Sequence, residues 1–150
     1  MPIRSSLYSE TGVVHLLSSA PRQADANSTG MDLRDADSAA LLFTVGANGD
    51  TLSGSVYIEL EVEESDDNST WNDVANLDLT NYATGTTNTG TAAKIVANAG
   101  AANSYLVGYK GNKRYIRGVV NITGTHTTGT PVGVVGLRGN NHYQPANVNT

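Results

Sequence analysis

The stretch Ser55-Val56-Tyr57-Ile58-Glu59-Leu60-Glu61-Val62-Glu63-Glu64 decides the fold class. Successive side chains of an extended chain point to opposite sides, so Val56, Ile58, Leu60 and Val62 share one face and Tyr57, Glu59, Glu61 and Glu63 the other. The alternation predicts a strand with its aliphatic side in a core and its acidic side in water. Directly after it, Asp66-Asp67-Asn68-Ser69 gathers turn formers, and Thr70-Trp71-Asn72-Asp73-Val74 begins a return strand. Residues 59–74 therefore read as a β-hairpin.

Working outward, the same grammar recurs on both sides. Upstream, residues 12–18 predict a first strand, and residues 20–29, with Pro21, a loop. A short strand over 31–34 follows, then a buried strand over 39–46 that closes on Gly46, Gly49 and Gly54. Downstream, residues 92–97, 104–109 and 114–122 predict three more strands. In the last, Ile116, Val120 and Ile122 share a face with Gly118 between them. Lys110-Gly111-Asn112-Lys113 is the connecting turn, and residues 131–138 form a final strand behind a Thr- and Gly-rich loop. Residues 79–90, with the Thr-rich run 84–90, predict a polar surface loop or an arm that orders only on contact. No helix of ordinary length and no solenoid repeat is visible. The expected fold is an all-β, single-domain β-sandwich or jelly roll of about eight short antiparallel strands. Residues 1–11 are read as an N-terminal arm, 12–139 as the sandwich and 140–150 as a flexible tail.

Composition agrees with this pattern. Gly, Asn, Ser and Thr supply 60 of the 150 residues, and only 15% are charged, which argues against a helical bundle. A chain of this length holds one core. The absence of cysteine excludes a disulfide framework and Cys-based zinc sites. A formal net charge of -5 opposes binding to polyphosphate, so no nucleic acid partner is expected. Within residues 1–20 the one apolar run, 13–17, is broken by His15 and is too short for a signal or a spanning segment; a soluble cytoplasmic product that binds no membrane is expected.

Few residues carry an obvious chemistry. His15, His126 and His142 lie apart with no supporting motif, whereas a nucleophile needs a base beside it, so no catalytic residue and no enzyme activity is expected. Glu59, Glu61, Glu63, Glu64, Asp66 and Asp67 line up along a strand and turn rather than wrapping a point. They predict neither a calcium site nor any other metal or cofactor, and read instead as a solvated strand face that resists edge pairing or as a charged contact surface. Trp71 reads either as a residue that packs on the core or as a stacking platform for a sugar. Lys110, Lys113, Arg114 and Arg117, with Tyr109 and Tyr115, form one basic cluster around a hairpin. It reads as a charged turn or as a dock for an acidic protein surface.

The string from Glu64 through Asp67 and Trp71 to Val74, followed by Tyr109-Lys110-Gly111-Asn112-Lys113-Arg114-Tyr115-Ile116-Arg117-Gly118-Val119-Val120, resembles the capsid decoration or cement proteins of tailed phages and prophages. The upstream Ala24-Asp25-Ala26-Asn27-Ser28-Thr29-Gly30-Met31-Asp32-Leu33-Arg34 fits the same likeness, which spans most of residues 13–139. The resemblance implies a homotrimer of β-sandwich protomers on the outside of an icosahedral head, bridging major capsid proteins. It places the protein on the virion surface after assembly in the host cytoplasm. Residues 1–10, 84–90 and 140–150 are then the natural arms. Arg4, Tyr8, Lys110, Lys113, Arg114 and Arg117 are candidate partner-binding residues, with Asp66, Asp67 and Trp71 serving the turn and core. A turn followed by Thr-Trp and a Lys-Arg-Tyr-Ile-Arg strand also resemble carbohydrate-binding sandwiches. The alternative is thus a glycan-binding or tail-associated adhesion protein, with Trp71 and the tyrosines as its contacts.

Overall fold

A computed structural model describes residues 7–142. Within them the alternating stretches form eleven strands: β1 (Gly12–Arg22), β2 (Ala26–Asn27), β3 (Met31–Asp32), β4 (Ala36–Val45), β5 (Tyr57–Ser65), β6 (Asn72–Asp73), β7 (Leu79–Thr80), β8 (Thr91–Ile95), β9 (Ser104–Tyr109), β10 (Tyr115–Thr123) and β11 (Thr130–Asn141). A single helical turn, α1 (Leu7–Glu10), precedes them. Every pairing is antiparallel. The first sheet runs β1-β11-β4-β9-β7; the second runs β2-β10-β5-β6, with β3 also on β10 and β8 also on β5. The chain is an all-β sandwich. The strand count exceeds the expected eight or so, in part because two-residue bridges at β2 and β7 lie in stretches read as loop, where too few residues alternate to show a period.

The core lies between the inner faces. Leu41, Phe43 and Val45 of β4 meet Ile58, Leu60 and Val62 of β5, joined by Val107, Ile116, Val120, Val132 and Val134. The hairpin expected over 59–74 is present, with Glu63 opposite Asp73 and Glu64 opposite Asn72. Its turn rests on Asp67, whose Oδ1 accepts the N–H groups of Ser69 at 2.9 Å and Thr70 at 2.7 Å. Asn68 takes the left-handed φ of 58° that the turn requires.

Three expectations are corrected. The acidic side of β5 is not in water: Glu59 is 2% exposed and Glu61 1%. Far from an edge, β5 is flanked by β10 on one side and by β6 and β8 on the other. The segment after β7 folds back over the strand, so the Thr-rich run is not an arm awaiting a partner. The Thr87 N–H reaches Glu59 Oε1 at 3.0 Å, and Asn88 Nδ2 reaches Glu61 Oε2 at 3.1 Å. Finally, two strands run past their expected ends. β1 runs on to Arg22 through Pro21, tolerated on an edge strand, and β11 includes Asn140 and Asn141, which were read as tail. Asn141 Nδ2 also donates to the Glu10 carbonyl at 3.1 Å, which ties α1, in the expected arm, to the sheet.

Candidate functional site

The turn between β9 and β10 is held by Tyr109. Its hydroxyl donates to Glu64 Oε2 at 2.5 Å and accepts the Lys113 N–H at 3.0 Å. Burial and the adjacent Glu64 carboxylate push the Tyr109 phenol upward, so it keeps its proton and stays a donor. The Lys110 N–H binds the Asp78 carbonyl at 2.7 Å. The fixed turn places Lys110, Lys113 and Arg114 in the lining of a cavity of about 410 Å³, together with Arg34, Asp37 and Asp66.

The charges in this groove are only partly matched. Arg114 grips Asp32 through Nε at 3.1 Å and Nη2 at 2.8 Å, and Arg34 Nη2 reaches the same carboxylate at 3.2 Å. Arg114 above all holds the Asp32 carboxyl down at about 2, and one carboxylate thus serves two guanidinium groups. Lys113 Nζ pairs with Asp66 at 2.6 Å, which raises the ammonium pKa. The exposed Lys110 ammonium has no ion pair among the described residues, and the Arg34 side chain is 65% exposed. Asp37, also in the lining, holds His142 Nε2 at 3.0 Å. Positive charge is left over at Lys110, and Arg34 shares its carboxylate with Arg114, in a concave site able to receive a carboxylate through charge-assisted hydrogen bonds.

Three of the six expected partner-binding residues thus meet. Arg117 does not join them. It faces its cross-strand neighbour Glu63 at 2.6 Å, and its guanidinium lies 4.6 Å from the centre of the Trp71 ring. Tyr8 is exposed on α1, and Arg4 lies outside the described residues. Trp71 is absent from the core cluster. It is half-buried, with one ring face under Arg117 and its edge against Gly30. Asp66 closes the groove through Lys113, and Asp67 holds the hairpin turn, its carboxyl kept at about 2 by the Thr70 and Ser69 N–H groups. Sequence reasoning missed Arg34 and Asp32, which reach the site because Asp32 pairs with Tyr115 across β3 and β10. No local pattern announces such a pairing.

The remaining titratable groups stay apart. His15 is exposed, with Nε2 3.1 Å from Ser18 Oγ. His126 is buried, with Nε2 3.1 Å from the Thr123 carbonyl and Nδ1 3.8 Å from Asp50 Oδ2. Asp50 spends its carboxylate on the N–H groups of Thr127, Thr128 and Gly129. Glu61 Oε1 is buried without a partner, and burial raises the Glu61 carboxyl to about 7 against the amides of Asn88 and Asn121. Among the described residues no group of three or more His, Asp or Glu could hold a metal ion, and no helix is long and apolar enough to cross a membrane. In comparison with known proteins, no protein-family model matches the chain and no curated protein matches it.

Proposed function

We propose that this chain is a non-enzymatic virion protein that decorates the outside of a tailed-phage head and holds neighbouring major capsid proteins together. The observation that carries the reading is the groove of Arg34, Lys110, Lys113 and Arg114 on a chain of net charge -5. A groove in which Lys110 is unpaired among the described residues and two guanidinium groups share the one Asp32 carboxylate gives an acidic protein one basic place through which to attract a partner and fix its register. The antiparallel sandwich holds that groove on a stiff base: Tyr109, Glu64 and Asp78 anchor the turn at both ends. The likeness to cement proteins supplies the partner class. In that setting a homo-oligomer would present one groove per copy, and attachment at one raises the local concentration of the others, so modest contacts add up to durable bracing.

The test is addition of the purified chain to heads built from the major capsid protein of the encoding phage, followed by sedimentation. Stoichiometric binding and greater resistance of the heads to heat and osmotic shock are expected. Lys110→Glu combined with Arg34→Glu should weaken binding by about tenfold or more without changing the circular dichroism. Heads that neither bind the chain nor gain resistance would overturn the reading. So would glycan binding that disappears in a folded Trp71→Ala variant.

A further inference from the structure

The outward sides of the two sheets differ: that of β5 carries acids buried beneath residues 84–90, while that of the first sheet carries no ionised carboxylate, Lys or Arg in the rows crossing β1, β11, β4 and β9. On the second sheet, Glu59, Glu61 and Glu63 share the outward side of β5 opposite Arg117 and Asn121 of β10. On the first sheet, the register sets His15, Val135, Leu42 and Leu106 side by side across β1, β11, β4 and β9. The next row is Val13, Leu137, Ala40 and Gly108, and the row on the other side is Gly133, Thr44 and Ser104. One further pair, Ser38 with Gly139, continues the face, which ends at Asn141, where α1 is tied on through the Glu10 carbonyl. None of these positions is Asp, Glu, Lys or Arg. Their strand neighbours Leu41, Phe43, Val107 and Val134 point inward and form the core, while Leu42, Val135 and Leu137 lie outside the core cluster and keep part of their surface exposed. Val13 is 56% exposed and Leu106 51%.

We propose that this outer face of the first sheet is the surface through which copies of the chain associate. The proposal rests on the reading above only for self-association; one face meeting its own copy gives a two-fold pair, so the oligomer it assigns is a dimer, and it is tested in free solution with no capsid. Charge favours a second copy as the occupant. Two molecules of net charge -5 repel over most of their surface, but on this face they meet without opposing like charges or stripping water from an ion. The acidic partner proposed for the groove would gain nothing from a face without cations. Size agrees. Four strands about 4.8 Å apart, with β4 and β11 paired over about 30 Å, give a patch of about 600 Å² per copy, so a pair buries about 1,200 Å². That is the lower end of stable interfaces, and the apolar, ion-free character is that of a homomeric contact.

Light scattering and sedimentation velocity of the full chain test this. An oligomer is expected for the natural chain. Leu106→Lys with Val135→Lys should convert it to monomer, with association weakened by at least about tenfold and an unchanged circular dichroism spectrum. Thr70→Lys, on the exposed hairpin turn, should leave the oligomer intact. Should the double variant fail to fold, Leu106→Ser on half-exposed β9 gives the same readout. A monomeric natural chain, or a folded double-lysine variant that keeps its oligomer, overturns the proposal. A variant that keeps its oligomer yet no longer binds heads assigns the face to the shell, which overturns this proposal and spares the decoration reading. A dimer supports the face, and a trimer, which needs two different surfaces on each copy, overturns it.

Discussion

A methyl group added to Gly118, in the middle of β10, would lie 2.9 Å from Val134 Cγ1 and 3.0 Å from Phe43 Cε1. Both neighbours are fully buried in the opposite sheet, so relief requires one sheet to shift. Gly118→Ala is expected to lower the unfolding free energy by about 1–3 kcal/mol in urea denaturation, while Gly54→Ala, whose added carbon meets nothing, leaves it nearly unchanged. A second residue governs pH. Unfolded, the Glu61 carboxyl gives up its proton near 4.5; folded, burial holds the proton to about 7. Between those values the folded state binds more protons, so this group makes stability fall as pH rises through the window and stay level above it. Glu61→Gln should flatten that fall in denaturation midpoints measured from about pH 4 to 8, and an unchanged slope would refute the assignment. Asp32 and Asp67 act in the opposite sense. Their carboxyls are held at about 2, so the stability they confer is present above their ordinary value of 3.8 and is lost as pH falls toward 2.

At the scale of elements, the period-two pattern of β5 identified both the strand and its core side, because alternation is a property of the strand itself. The fate of the other side was not legible. It depends on a partner segment 27 and 28 residues away, whose amides meet the carboxylates of Glu59 and Glu61. Taken alone, the run of Thr, Gly and Asn over 84–90 looks like low complexity; against two buried acids it is a row of donors. Gly90, at φ +75° and with its Cα close to the Val62 and Val74 backbone, closes the fold-back where a side chain would collide. Asn88→Ala removes the donor to Glu61 and should raise amide hydrogen exchange over 84–90 while β5 and β10 stay protected. Unchanged exchange in that segment would mean that the covering strap is held by something other than the acids. The hairpin turn was legible because its chemistry is local: Asp67 binds the backbone two and three residues on, and no distant partner is needed.

For the whole molecule, adjacency in sequence brought Lys110, Lys113 and Arg114 together correctly, since one short turn carries all three. It failed for Arg117, three residues further on, because the β10–β5 register supplies Glu63 as a cross-strand partner and consumes the charge. The groove and the outer face of the first sheet therefore differ in the physics of any contact they make, and salt separates them. Attraction between the groove and an acidic partner acts through exposed charges, over distances that screening cuts from about 10 Å at 0.1 M to about 3 Å at 1 M. Association through an ion-free apolar face has no charge attraction to lose, depends on surface removed from water, and is helped when salt screens the repulsion between two chains of net charge -5. Raising sodium chloride from about 0.1 to 1 M should thus release the chain from heads, chiefly by slowing attachment, while its oligomeric state holds. Lys110→Glu with Arg34→Glu should reproduce the release at low salt and leave the oligomer untouched. Sedimentation of heads and of the free chain across the same salt series checks both. Attachment that ignores salt while the oligomer dissociates would reverse the assignment of the two surfaces.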